Sequence, residues 1–376
     1  MTDLNLSDYP EVSAPRRILL GPGPSMVPPS VLQAMTTPIL GHLDPAFVGI
    51  MDKTQALLRH VFQTANQLTI PISGTGSAGM EAAVVNIIEP GTTVLVCVNG
   101  YFGLRLAEMA RRCGGGVATI EKPWGEVFTP AEVAAALNAR PAKVVAIVHG
   151  ETSTGAEQPQ LDEIARVVHD HGGILLVDTV ASLGGAPVKV DEWGIDVCYT
   201  GSQKCLSAPP GTAPITFGPR AVEVIEARRT PVASWYLDLT LLRKYWGAER
   251  VYHHTAPISS IYALYEALRL VAEEGLEARW ARHRRTAGLL WKGMADLDML
   301  PFVPEGHRLV SLTTVRLPDG LDEMGIRRRL LQEYNIEIAG GLGDLKGKVW
   351  RVGLMGYSAR EENVQALLAA LETLLA

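Results

Sequence analysis

Cysteine is scarce in this chain. There are four in 376 residues, Cys97, Cys113, Cys198 and Cys205, and no C-x-x-C pair. That excludes a disulfide framework and fits a reducing compartment. Cys97 and Cys198 lie within apolar runs and read as small buried hydrophobes. Long apolar runs are also missing: none approaches the ~18 residues of a membrane span. The opening stretch "MTDLNLSDYPEVSAPRR" has no apolar signal core and carries early aspartates, so it reads neither as a secretory nor as an organelle-targeting segment. The last residues, "LETLLA", carry no address motif. A cytoplasmic protein is expected. Nor is there a basic surplus. The net charge is −6 and the pI about 5.9, which gives no footprint for nucleic acid. No internal repeat or low-complexity tract is present. Charged residues make up 20%, so little of the chain reads as disordered.

What is present is enough apolar residue, 47%, for a full core, in a chain long enough for two domains. Short β-branched runs alternate with helical patterns over the first two-thirds. "TTVLVCV" (92–98), "AKVVAIVH" (142–149), "GILLVD" (173–178), "DVCYTG" (196–201) and "APITFG" (213–218) read as strands covered on both faces. Helical patterns lie between them at 77–88, 103–113 and 161–171. This alternation predicts an α/β fold with a mainly parallel sheet. A helical pattern over 258–299 is interrupted near "EEGLE". Beyond it "RLVSLTTVRLP" (308–318) alternates like a half-exposed strand, 324–334 is an amphipathic helix, 347–356 is a strand, and a closing helix runs to the end. The expected organisation is an N-terminal arm (1–20), a large domain (21–272) and a smaller α+β domain (273–376).

Three features carry chemistry. "PISGTGSAGMEAA" leads from a strand through Gly74, Thr75, Gly76 and Ser77 into a helix. Such a turn aims backbone N–H groups at an anion, although it lacks the lysine of a P-loop and completes no dinucleotide fingerprint. In "ILLVDTVASLGG", Asp178 ends an apolar strand, where α/β sheets place their ligands. In "YTGSQKCLSAPPGTA", Lys204 follows the next strand with no charged residue within seven positions on either side. A desolvated lysine is a good amine nucleophile towards carbonyls. Each has a plainer alternative: a capped helix start, an N-cap aspartate, a lysine snorkelling out of a loop. Together they are a phosphate cup, an acid for a ring nitrogen and an amine for an aldehyde, which is what pyridoxal 5′-phosphate needs. Tyr101 or Phe102 in "NGYFG" offers an aromatic to cover the ring.

The segments "LLGPGPS", "SGTGSAGMEA", "NGYFG", "HGETSTG", "LLVDTVASLGG", "GSQKCLSAPPG", "WYLD", "YHHTAPIS", "IEIAGGLG" and "KVWRVGLMG" span residues 19–356. In kind and order they resemble the class V (fold type I) pyridoxal-phosphate aminotransferases, and within them the alanine–glyoxylate / serine–pyruvate group. "GHLDPAF" makes the likeness closer to bacterial and cyanobacterial members. The resemblance implies a transaminase in which Lys204 bonds the cofactor aldehyde and Asp178 pairs with the ring nitrogen. Val180 and Phe102 would pack on the two ring faces. Thr75, Gly76 and Gln203 would hold the phosphate, with Ser77 a weaker member. Thr152 would reach the phenolic oxygen. It further implies a homodimer with a shared active site, in which Tyr252 and Thr255 reach the partner's phosphate. Arg351 would grip the substrate carboxylate. Animal members carry Trp at the position of Phe102 and His at that of Ser77.

Arg351 has support of its own. It lies in an apolar strand, where a charge must be paired, and its fork fits a planar carboxylate better than a lysine does; an internal salt bridge is the alternative. Adjacent His253 and His254 are expected to point apart, so no metal is expected. The expected reaction passes the amino group of alanine to glyoxylate, with Lys204 as general base. Serine is the alternative donor, with glyoxylate or pyruvate as acceptor. A cysteine desulfurase would need a cysteine on a later mobile loop, and none follows Cys205. A cofactor-binding regulator would need a helix-turn-helix segment, and none is seen.

Overall fold

The computed structural model describes residues 4–375. Residues 1–3 of the expected arm and Ala376 of the expected closing helix lie outside them. A seven-stranded sheet forms the centre, from β1 (Leu68–Ser73), β2 (Thr93–Val98), β3 (Gly116–Glu121), β4 (Val144–Val148), β5 (Ile174–Asp178), β6 (Val197–Tyr199) and β7 (Thr212–Phe217). Its spatial order is β1-β7-β6-β5-β4-β2-β3, and only β7 pairs antiparallel. The sheet is mainly parallel, as the alternation predicts.

Successive residues of the central strands serve opposite faces. Val94, Val96, Val144 and Ala146 join one apolar cluster, with α2 (Gly76–Ile87) and α3 (Tyr101–Arg112) packed on it. Leu95, Cys97, Val145 and Ile147 join the other. That second face is covered by α1 (Pro45–Phe62), α4 (Leu161–Asp170) and α5 (Ile258–Glu274). Helix α1 starts where Asp44 accepts a hydrogen bond from Ala46 N at 2.7 Å and Pro45 takes the first helical position.

Gly275, at φ +81°, separates α5 from α6 (Leu276–Asp296), which accounts for the interruption in the helical pattern. A three-stranded antiparallel sheet follows, β8 (Leu312–Arg316), β10 (Val349–Gly353) and β9 (Ala339–Gly340) in that spatial order. With α7 (Glu323–Glu333) and α8 (Glu361–Leu375) it encloses its own apolar cluster. Strand β8 differs from expectation: all but Arg316 is buried. One of its faces meets α6, where Trp291 Nε1 donates to Thr313 Oγ1 at 2.8 Å. The other packs on the Gly155 turn, so closely that a Cβ on Gly155 would lie 3.2 Å from Thr314 Oγ1. Hydroxyls buried on both faces read in sequence as solvent-facing. Among the described residues no helix is long and apolar enough to cross a membrane.

Candidate active site

The carboxyl ends of the parallel strands share one edge, and at its centre Val148, Asp178 and Tyr199 are in register. The loops leaving this edge carry most of the candidate residues. Gly74–Ser77 follow β1, Phe102 follows β2, Thr152 follows β4, Val180 follows β5, and Gln203 and Lys204 follow β6. The first and last of these loops touch. A Cβ on Gly76 would lie 3.4 Å from Val180 Cγ2 and 3.6 Å from Gly201 Cα. The glycine cup, the Asp178 turn and the lysine loop are therefore one site.

Asp178 is 2% exposed. Its Oδ1 accepts from Val180 N at 2.8 Å and its Oδ2 from the Tyr199 hydroxyl at 2.7 Å. Burial pushes its carboxyl up to about 6, against the pull of these donors and of Lys204. Lys204 is half-buried and has no ion pair among the described residues. Burial lowers its ammonium to about 8. Nζ donates to the Pro22 carbonyl. Gly23, at φ +112°, leaves room for it: a Cβ there would lie 2.6–2.9 Å from Nζ, Cδ and Cε of Lys204. The same segment holds the lysine backbone, through Ser25 Oγ to Lys204 O at 2.8 Å and Ser25 N to Gln203 O at 2.8 Å. It also ties to the C-terminal sheet region. Ile18 and Leu19 pair with Ile336 and Glu337, Gly353 N donates to Leu20 O, and Met26 N donates to Ser358 Oγ.

Helix α2 has no side-chain cap, so its first amides face the cup. The Gln203 Oε1 is buried without a partner beside Gly201. Arg105, on α3, donates to Ser77 Oγ at 3.2 Å, and its guanidinium carbon lies 5.0 Å from the Phe102 ring centre. Arg351 on β10 is 6% exposed. Its Nε donates to Gly340 O at 2.8 Å and its Nη1 to Thr152 O at 3.2 Å, with no carboxylate in salt-bridge reach among the described residues. Burial lowers it to about 10.

Tyr252 and Thr255 are not gathered with the others; both are exposed. Nearby, His253 and His254 do not point apart. Their Nδ1 atoms meet at 2.9 Å, and His254 Nε2 lies 2.7 Å from Ser73 Oγ. The backbone there is an irregular bend and not a strand, so alternation does not apply. Among the described residues no group of three or more His, Cys, Asp or Glu is placed to hold a metal. Tyr199, Pro22, Arg105 and Glu151 were not singled out from sequence. Only the register of β5 and β6 puts the Tyr199 hydroxyl on Asp178, and only the return of the first residues puts Pro22 on Lys204.

The family model described as aminotransferase class-V matches residues 17–367. The chain belongs to the class V aminotransferases. This aminotransferase is 42% identical to (S)-ureidoglycine–glyoxylate transaminase of Bacillus subtilis (strain 168), over 98% of this chain and 93% of that one. It is 44% identical to alanine–glyoxylate aminotransferase of Rattus norvegicus, over 97% and 89%. The crystal structure of an alanine–glyoxylate aminotransferase from Nostoc sp. superposes with a TM-score of 0.97 at 53% identity, covering all of both chains. The aminotransferase is pyridoxal-phosphate-dependent. Its residues fit that cofactor. The open amides of α2 and the orphaned Gln203 amide, which presents its NH2 if turned over, suit a phosphate. Asp178 suits a ring nitrogen, and the Lys204 amine, without an ion pair among the described residues, suits a carbonyl.

Proposed function

We propose that this aminotransferase passes the amino group of alanine to glyoxylate, giving pyruvate and glycine in a ping-pong cycle. Arg351 is the observation that carries the reading. Among the described residues it is a buried guanidinium bound only to two carbonyls, with N–H groups left over for a substrate α-carboxylate. Glyoxylate appears in the names of both curated relatives, which supports it as acceptor. Alanine as donor is supported by the names of the rat and Nostoc enzymes. (S)-Ureidoglycine is a second donor reading, favoured by the Bacillus relative of nearly equal identity. Serine, one hydroxyl larger than alanine, is a third. Initial rates with glyoxylate and each donor in turn test this; alanine ranking below either of the others overturns it.

Bound pyridoxal phosphate supplies a carbonyl that exchanges amino groups and a ring that accepts electrons. Lys204 Nζ takes the proton from the Cα of the amino donor, and its lowered pKa near 8 keeps part of the population neutral near pH 7. The Asp178 carboxylate holds a proton on the ring nitrogen, itself held by Tyr199 and Val180 N. Phe102 and Val180 flank the ring and exclude water. Thr75, Gly76, Ser77 and Gln203 hold the phosphate, Thr152 the phenolic oxygen, and Arg351 the substrate carboxylate.

The protein acts as a cytoplasmic homodimer in this reading, with Tyr252 and Thr255 completing the partner's phosphate site. The exposure of Trp235, Tyr236, Val251 and Tyr252 around that loop supports an interface there.

A further inference from the structure

Glu151 is a wholly buried acid that the transfer of an amino group does not use. It lies in the short hairpin Gly150–Glu151 and Ala156–Glu157 after β4. Four donors converge on its carboxylate. Oε2 accepts from Phe102 N at 3.0 Å and Gly103 N at 3.4 Å; Oε1 accepts from Ser153 N at 3.0 Å and Ser153 Oγ at 2.6 Å. Ser153 Oγ in turn accepts from Tyr101 N at 3.0 Å. The carboxylate accepts from all four at once; of the four, only the Ser153 hydroxyl is also able to accept an O–H from a protonated Glu151. Burial, with the nearby Asp178 adding to it, holds the group above the usual carboxylate range against the pull of Ser153 and Phe102 N.

The start of α3 has closed onto this acid. A Cβ on Gly100 would lie 2.5 Å from Glu151 Cδ and 2.6 Å from Ser153 Oγ. One side chain thereby joins two walls of the site. The first carries Phe102. The second is the turn of Thr152, whose carbonyl receives Arg351 Nη1. The acid is too far from Arg351 for a salt bridge, yet its charge acts on that guanidinium.

We propose that Glu151 is a positioning residue for transamination: its carboxylate sets the Phe102 ring on one wall of the cofactor pocket and, through the Thr152 turn, the Arg351 guanidinium on the other. This rests on the roles given above to Phe102 and Arg351. Glu151→Gln keeps the shape of the side chain but turns an NH2 towards two of the four donors. Ser153→Ala keeps the carboxylate and removes its shortest bond.

The test titrates each apo variant with pyridoxal phosphate, records the visible circular dichroism of the bound cofactor, and compares KM with kcat. Glu151→Gln is expected to weaken cofactor binding about 10- to 100-fold, and Ser153→Ala about three- to tenfold, as the loss of hydrogen bonds to a charged group implies. Visible ellipticity falls in both with the far-ultraviolet spectrum unchanged, and KM for the amino donor rises. Wild-type affinity and visible ellipticity in folded Glu151→Gln overturn the proposal. If that variant does not fold, the same wild-type values in Ser153→Ala overturn it. Phe102→Ala is run in parallel. If it too leaves the ellipticity untouched, the role of Phe102 is wrong; if it alone changes the signal, only the role of Glu151 is wrong.

Discussion

Replacing Arg351 by alanine and by lysine separates the fork of the guanidinium from its charge. A guanidinium has five N–H donors. Two of them are spent on Gly340 O and Thr152 O, and the rest are enough for both oxygens of a carboxylate. Two hydrogen bonds to a charged group are worth about 1.5–3 kcal/mol each, so alanine should cost about 3–6 kcal/mol, or roughly 10²- to 10⁴-fold in kcat/KM. Lysine restores a point charge but not the fork and should recover about half of that energy, leaving a loss of roughly 10- to 100-fold. The assay is steady-state kcat/KM measured separately for the amino donor and for glyoxylate. Both carry the carboxylate, so both should fall together, while the affinity for pyridoxal phosphate holds. A control amine without a carboxylate should react as with the unaltered enzyme. An alanine variant with wild-type KM for both substrates would refute the assignment.

Lys204→Ala should abolish turnover and the absorbance of the lysine-bound cofactor; persisting turnover in a clean preparation contradicts the role. In the unaltered apo protein only the neutral amine captures pyridoxal phosphate, and the pKa is lowered from 10.5 to about 8. The capture rate followed by stopped-flow absorbance should therefore rise with pH and level off above about 8; an inflection near 10.5 would show an unperturbed amine. Gly23→Ala forces a side chain into φ +112° and onto the lysine stem. It should lower stability by at least about 1–2 kcal/mol and reduce cofactor occupancy, read by melting temperature and absorbance; a wild-type occupancy would show that the lysine tolerates displacement. Finally, Lys204→Ala subunits mixed with Tyr252→Ala/Thr255→Ala subunits should regain about a quarter of wild-type activity on statistical exchange, since each mixed dimer rebuilds one intact site. No recovery, with exchange verified, argues against a shared site.

The chemistry of this site was legible in the sequence where a charge stood alone. Lys204 and Asp178 each follow an apolar strand, and a buried charge in such a place signals either pairing or function. Five strands were readable for the same reason that the sheet is stable: runs covered on both faces stay apolar; the edge strand β3, exposed at both ends and half-buried between, shows no such run and is not expected from sequence. What stayed hidden depends on distant partners. Glu151 and Ser153 lie in a polar turn that reads as surface, and only the approach of α3 buries them. Tyr199 reads as one more core aromatic until strand register gives its hydroxyl a partner. Thr313 and Thr314 look solvent-facing because a hydroxyl in a strand is ambiguous until both sheet faces are known. The meeting of His253 and His254 follows from a local bend that no periodicity reports.

The segment from Ile18 to Met26 has a consequence in time. During synthesis it emerges before the central sheet, and its partner Ser358 is 332 residues further along than Met26. At a translation rate of ~5–20 residues per second, the two ends of that contact are born roughly 20–70 s apart. Strands β1 to β7 are all made in the interval, and the Lys204 loop with them. The carbonyl of Pro22 can be anchored from both sides only once residues 336–358 have left the ribosome. Until then the lysine has its strand but not its lid of backbone. Competence to hold the cofactor therefore waits on residues 336–358, and a ribosome stalled before residue 336 should display a folded central sheet that captures pyridoxal phosphate poorly.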